Sequence, residues 1–204
     1  MCGRYTLSIS SKPDLRVLGV DQSDRFNIAP ATKVLVIRET NQVALMNWSL
    51  SPIWARSPMR LFNARSETLY QKPAFSGADR CAFIADGWYE WQRLGQSKLP
   101  WYHHRAGDLL YFAGIYHSHS GAAIVTMEAN EMIAHVHHRQ PLLLDGQNLE
   151  NWLEGADPHD CVEFGEILVH RVDAAVGDPR LEGSHLIAPL AQSHKGLAET
   201  QDLF

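Results

Sequence analysis

The chain has 204 residues, 45% of them hydrophobic, with a formal net charge of -5 at pH 7; this fits one globular domain with a real core and excludes a protein that coats nucleic acid by bulk positive charge. Three scattered cysteines, Cys2, Cys81 and Cys161, exclude a disulfide framework or a paired-cysteine zinc site and fit a reducing setting. No apolar run approaches the ~18–20 residues of a membrane span, and the first residues lack the apolar stretch of a signal peptide, so a monomeric, cytoplasmic protein is expected, nucleoid-associated if bacterial.

The first chemical signal is Met1-Cys2-Gly3-Arg4-Tyr5. Removal of Met1 leaves Cys2 with an amine and a thiol on adjacent carbons, a 1,2-aminothiol. Such a pair condenses with an aldehyde to an imine, and the thiol then closes onto the imine carbon to give a thiazolidine. An internal cysteine cannot do this, because its nitrogen is an amide. An α-amino group titrating near ~7.7–8.0 and a thiol near ~8.5 supply nucleophilic forms at neutral pH. The ordinary alternative is a small packing residue behind an initiator methionine.

Further along, residues 11–20 (SKPDLRVLGV) read as a short helix capped by Ser10 or Ser11. The segment Phe26-Asn27-Ile28-Ala29-Pro30 reads as a tight connection. Residues 33–38 (KVLVIR) and 43–48 (VALMNW) are β-rich runs joined as a hairpin. Residues 51–62 are irregular, and 63–70 (NARSETLY) open a short helix. Residues 82–92 (AFIADGWYEWQ) read as strand, Asp-Gly break, strand, with Trp88 and Glu90 on one face and Tyr89 and Trp91 on the other. Strands follow over 100–104, 109–116 and 122–126, then a short helix over 128–136 and an apolar strand over 141–144. Asp145 is placed to cap a helix over 148–153 that ends at Gly155, 167–172 is a last strand, and 177–204 is mostly loop. Many short strands with a few short helices predict an α+β domain with a curved, largely antiparallel sheet.

Some polar residues stand out against this frame. Glu90 lies among three aromatics, where poor solvation raises a carboxyl pKa toward the working range of a general acid–base; an arginine partner at a sheet edge is the alternative. His137, in His-His-Arg-Gln-Pro, can move protons at neutral pH. The pairs His117/His119 and His135/His137 lack further ligands at zinc spacing, so neither a metal nor any other cofactor is expected. Asn63 and Arg65 offer an amide and a guanidinium on one side of an extended segment, suited to a sugar oxygen and a phosphate; a helix cap and a surface ion pair are the alternatives. Arginines concentrate in the first two-thirds of the chain, where Trp54, Phe62 and Trp91 lie near them. Aromatics interleaved with arginines hold single-stranded nucleic acid, although core packing uses the same residues.

In order, these stretches resemble the SRAP family (SOS-response-associated peptidases, also described as abasic-site processing proteins). The resemblance runs through Cys2-Gly3-Arg4-Tyr5, Phe26-Asn27-Ile28-Ala29-Pro30, Trp48 with Pro52 and Trp54, and Asn63-Ala64-Arg65-Ser66-Glu67-Thr68. It continues through Ala85-Asp86-Gly87-Trp88-Tyr89-Glu90-Trp91, Phe112-Ala113-Gly114-Ile115, His137-x-Arg139-x-Pro141 and Pro179-Arg180. It implies one α+β domain over residues 1–190, with a barrel-like β core, a few peripheral helices and a basic DNA groove, followed by a tail over 191–204. It also implies covalent crosslinking of Cys2 to abasic sites in single-stranded DNA, including single-strand/double-strand junctions. Cys2 is the implied nucleophile, with Asn63, Glu90 and His137 around it. Arg4, Arg65 and Arg139 are the implied phosphate holders; Asn27 and Pro30 shape the site near a junction, and Trp54 and Trp91 belong to the implied DNA-binding set. Departures from the family pattern include Gln140 in place of Met and Val176-Gly177-Asp178 before Pro179, which bear on DNA affinity more than on chemistry. Two rival readings are a cysteine peptidase that removes Met1, and a non-covalent single-strand binder.

Overall fold

The computed structural model describes residues 2–13, 15, 23–39, 42–52, 54–162 and 165–190. The helix expected over 11–20 falls mostly outside them, as does the tail. The elements that place the site are strands, in chain order β1 (Arg4–Leu7), β2 (Arg25–Ile28), β3 (Lys33–Glu39), β4 (Gln42–Asn47), β5 (Asn63–Arg65), β6 (Asp79–Ala85), β7 (Gly87–Leu94), β8 (Ser97–His104), β9 (Leu110–His117), β10 (Gly121–Glu128), β11 (Arg139–Pro141), β12 (Leu143–Leu144) and β13 (Leu168–Arg171). The α-helix α1 (Gly146–Leu153) follows β12.

These strands form two sheets. One runs β13-β8-β7-β1-β2; the other runs β11-β10-β9-β6-β3-β4, with β12 paired to β9 and β5 paired to β10. The pairings are antiparallel except for β5 with β10, which is parallel. The α+β, largely antiparallel architecture is as expected, but the strand orders leave two open sheets and not a closed barrel. The main core takes Tyr5, Ile28 and Trp88 from the first sheet and Val36, Phe83, Phe112 and Ile124 from the second, so it joins the two.

The alternation along β7 is the one read from the sequence. Trp88 turns into the main core beside Cys2, while Tyr89 enters a smaller cluster with Tyr102, Val172, Val176 and Leu186. Glu90, on the Trp88 side, is carried into the interior by the same period of two and is only 3% exposed.

Two expected helices are absent. Residues 63–70 form strand β5 and a 3-10 turn over Ser66–Thr68, because Asn63, Ala64 and Arg65 take a place in the ladder beside Ile124, Val125 and Thr126. Residues 131–136 form successive turns. There the Asn130 side chain accepts from the Met132 amide and its carbonyl accepts from Ile133 and Ala134, which winds the chain locally without propagating a helix. Helix α1 is present and anchored by buried Trp152, whose indole N–H donates to the Cys81 carbonyl at 2.8 Å. Asp145 is its N-cap by backbone position, but its side chain makes no capping bond.

Gly87, in the Asp-Gly step that separates β6 from β7, is required by a close approach. A Cβ there would overlap the Tyr102 phenol ring. That phenol lies 2.8 Å from the Thr6 hydroxyl, which donates to Asp86, and Asp86 also accepts from the Ser8 amide at 2.7 Å. With the Thr6 proton committed to the carboxylate, Tyr102 is the donor to Thr6. The network pins β1 to β7 and β8. Gly87→Ala is expected to destabilise the protein by roughly 1–3 kcal/mol through overpacking, read as a lowered urea midpoint; an unchanged midpoint would contradict this account of the glycine.

Candidate active site

Cys2 is fully buried in the main core. Asn63, at the start of β5, donates from Nδ2 to the Cys2 carbonyl at 2.8 Å, so the parallel ladder with β10 determines where the N-terminus is held. The Asn63 Oδ1 is buried with no hydrogen-bond partner among the described residues. Burial, followed by the charge of nearby Glu90, pushes the Cys2 thiol well above its ordinary pKa. With Met1 attached, both nucleophiles are therefore silent: the nitrogen is an amide and the sulfur is protonated.

Glu90 faces His137, with Oε2 3.9 Å from Nδ1. An ion pair would lower the acid and raise the base, but both shift the other way. Burial raises Glu90 to about 7 and, as the largest cause, lowers His137 to about 4. Burial is the largest cause of both shifts, and near neutrality the contact joins a carboxyl that is about half protonated to a neutral imidazole. The Arg139 amide lies 3.0 Å from His137 Nδ1 and the Arg139 carbonyl 3.2 Å from the same atom, so the Arg139 backbone engages Nδ1 in either tautomer. The His138 ring stacks on His137 with centroids 4.5 Å apart.

Glu90 and His137 line one open cavity of about 540 Å³ together with Gly3, Arg4, Trp91, Arg93, Lys98 and Gly177. Its three cations make it locally basic on an acidic protein, the arrangement that the overall charge required of any anion-binding site. Arg93 and Lys98 were not singled out from the sequence. They are partners across the β7–β8 hairpin, whose two-residue turn opens on Gly95 at φ +60; the Gly-Gln pair between two strands is the signal that could have found them.

The remaining expected site residues separate into groups. Arg4 extends from β1 to Asn27 Oδ1 (2.6 Å) and to the Val176 and Gly177 carbonyls (3.0 and 3.4 Å). The Asn27 amide donates to the Asp178 and Leu181 carbonyls at 2.9 and 3.0 Å. Asn27 is thus saturated within the protein, and its contribution is to fix Arg4 and the 176–181 loop. Pro30 lies in the turn before Ala31, which holds a positive φ of 67. Arg65 is exposed at the end of β5. Trp54 is 62% exposed in the irregular stretch and is not among the cavity-lining residues. Trp91 reaches the cavity while packing partly against the smaller core. Arg139 is 8% exposed, and its fork meets the Glu67 carboxylate at 2.5 and 3.0 Å and the Thr126 carbonyl at 2.5 Å. Three of its five N–H groups are therefore committed inside the protein. Within the second His-x-His pair, His135 sits edge-on to Trp101 while His137 faces Glu90. Among the described residues no helix is long and apolar enough to cross a membrane.

A mostly antiparallel two-sheet α+β fold, with an N-terminal cysteine held by an asparagine beside a buried glutamate and a histidine, defines the class. The chain belongs to the SRAP (SOS response associated peptidase) family, whose sequence profile matches residues 1–179. It is similar to the abasic site processing protein YoaM of Bacillus subtilis, at 32% identity over 92% of this chain and 97% of the relative. It is likewise similar to the abasic site processing protein YedK of Escherichia coli, at 30% identity over 93% of this chain and 100% of the relative. The same fold occurs in a crystal structure of a Bacteroides thetaiotaomicron protein, with a TM-score of 0.76, 18% identity, and coverage of 93% of this chain and 100% of that one.

The Glu90 shift carries a stability consequence of definite sign. A native pKa raised to about 7 means that the native state holds the proton more tightly than the unfolded chain. The stability from this group is full below about pH 4.3 and is lost as pH rises to 7. The shift corresponds to about 3 kcal/mol. Glu90→Gln removes this dependence, so its stability relative to the parent should rise by about that amount between pH 4 and pH 8, measured by paired urea titrations. A pH-independent difference would contradict the buried, proton-holding carboxyl.

Proposed function

We propose that, once Met1 is removed, the chain processes abasic sites in single-stranded DNA by forming a thiazolidine between Cys2 and the ring-opened sugar. The observation that carries this reading is Glu90: a carboxyl raised to about 7, next to the aminothiol and lining a basic cavity. An aminothiol condensing with an aldehyde needs a group that gives and takes a proton near neutrality, and this one is poised to do so.

The Cys2 amine adds to C1′ of the aldehyde to give a carbinolamine. Glu90 protonates the departing hydroxyl, water leaves, and the nitrogen proton returns to Glu90 as the imine forms. The Cys2 sulfur then bonds to the imine carbon while the thiol proton passes to nitrogen by way of Glu90. One water is released overall, and Glu90 ends as it began. Holding amine, thiol and aldehyde together supplies the effective-molarity advantage of an intramolecular closure. The Asn63 Oδ1, without a hydrogen-bond partner among the described residues, accepts from the freed amine or the carbinolamine hydroxyl, and His137 Nε2 pairs with a sugar hydroxyl during ring opening. Arg4 and Arg65, joined by Arg93 and Lys98, hold flanking phosphates, while Arg139 is committed to Glu67 and Thr126; exposed Trp54 and half-buried Trp91 offer stacking faces. β-Elimination of the 3′ phosphate is the competing fate of an imine that the thiol does not trap.

Intact-mass measurement after incubation with abasic and undamaged oligonucleotides tests this. The expected result is a mass increase of one oligonucleotide less one water, with abasic single strand only, and its loss in Cys2→Ala. An adduct of undiminished yield in Cys2→Ala would overturn the assignment. Peptide turnover without DNA would favour the peptidase reading, and salt-sensitive binding indifferent to Cys2 would favour a non-covalent binder.

A further inference from the structure

Glu90 and His137 line the cavity and Asn63 holds Cys2, but an elaborate polar contact close to them in the chain has no place in the reaction as described. The Glu67 carboxylate receives both arms of the buried Arg139 fork, at 2.5 and 3.0 Å. The same guanidinium donates to the Thr126 carbonyl at 2.5 Å and approaches the Thr126 hydroxyl at 3.4 Å.

The placement of these three residues is informative. Glu67 lies in the 3-10 turn directly after β5, four residues beyond Asn63. Arg139 opens β11, two residues beyond His137, and its amide holds the His137 ring. Thr126 lies on β10, the strand to which both β5 and β11 are paired. Each of those ladders is only three register pairs long: Asn63, Ala64 and Arg65 on one side, and Arg139, Gln140 and Pro141 on the other. Short ladders at strand ends fray, so backbone pairing alone is a weak hold on two side chains that must meet one substrate.

We infer that Glu67 is a positioning residue for the reaction: its bidentate pair with Arg139, seated on Thr126, bolts the Asn63 segment to the His137 segment and sets the spacing between the group that holds Cys2 and the groups that handle protons. Planar fork-to-carboxylate geometry is what suits the pair to this task, because two parallel hydrogen bonds fix orientation as well as distance. A point charge would fix distance alone. The carboxylate is held in its ionised form, its pKa lowered by the hydrogen bonds from Arg139, so the bolt stays closed through the neutral range. The role rests on the covalent reading above only for its kinetic readout; the geometry of His137 reports it independently.

The test uses charge-conserving variants, Glu67→Asp and Arg139→Lys, which keep one carboxylate and one cation but lose the two-point fit. Circular dichroism and thermal melting select variants that fold. At saturating abasic single strand, each is expected to form the adduct about tenfold more slowly than the parent, with the loss in the saturated rate and not in the half-saturating DNA concentration. The double variant should be no slower than either single one, because both remove the same contact. Without DNA, ring-nitrogen NMR should show His137, which faces Glu90, His138 and Arg139, moving in both variants from its depressed value near 4 toward the ordinary ~6.5. Unchanged saturated rates with an unmoved His137 would overturn the inference. Additive losses in the double variant would overturn it too. If the parent itself forms no adduct, the covalent reading fails, and the His137 titration alone decides whether the bolt exists.

Discussion

Glu90 sits in the middle of a central strand, flanked by β1 and β8, with 3% of its surface exposed, and much of the neighbouring architecture serves to keep a carboxyl there. Such a group holds its proton, because the charged form is denied water. Keeping it dry requires Trp88 and Cys2 in the main core beside it and a chain end closely tied down. That tie is the Asn63 bond to the Cys2 carbonyl. A reactive N-terminus left to fray would lose the positional advantage on which condensation chemistry depends.

The same dry environment governs the neighbours. His137, 3.9 Å from Glu90, is pushed toward neutrality and not into an ion pair. A neutral histidine whose Nδ1 is engaged by the Arg139 backbone is held in orientation, while a carboxyl titrating near neutrality is the group of the two suited to move a proton. Charge is confined to the rim, where Arg4, Arg93 and Lys98 lie. A cavity that is basic at its mouth and neutral within can attract a phosphodiester and still leave an amine unprotonated enough to attack. The division is physical: long cationic side chains keep their heads in water, while a short carboxyl on a β-strand is carried inward by the pleat.

Much of this was legible in the sequence. The period-two pattern of Trp88-Tyr89-Glu90-Trp91 reads directly as one face to each core, and the aromatics around Glu90 announce its poor solvation. Other features depend on long-range contacts that local pattern does not carry. Residues 63–65 have no strand signal of their own and become one because β10 lies alongside. Residues 131–136 have helix-like composition, yet the turns set by Asn130 prevail. Arg139 reads as a surface phosphate holder until Glu67, 72 positions away in the chain, is seen in its fork. Asn27 likewise reads as a site residue, whereas its amide is consumed in fixing the 176–181 loop.

The central claim is that Glu90 keeps its proton up to near-neutral pH inside the DNA-free protein, and its side-chain carbon can be followed directly by 13C NMR across a pH titration. The account predicts a midpoint of about 7, with the resonance unmoved through the range where exposed glutamates titrate. A midpoint at the ordinary ~4.3 would contradict it, because an already ionised carboxyl cannot supply the proton that the proposed condensation needs.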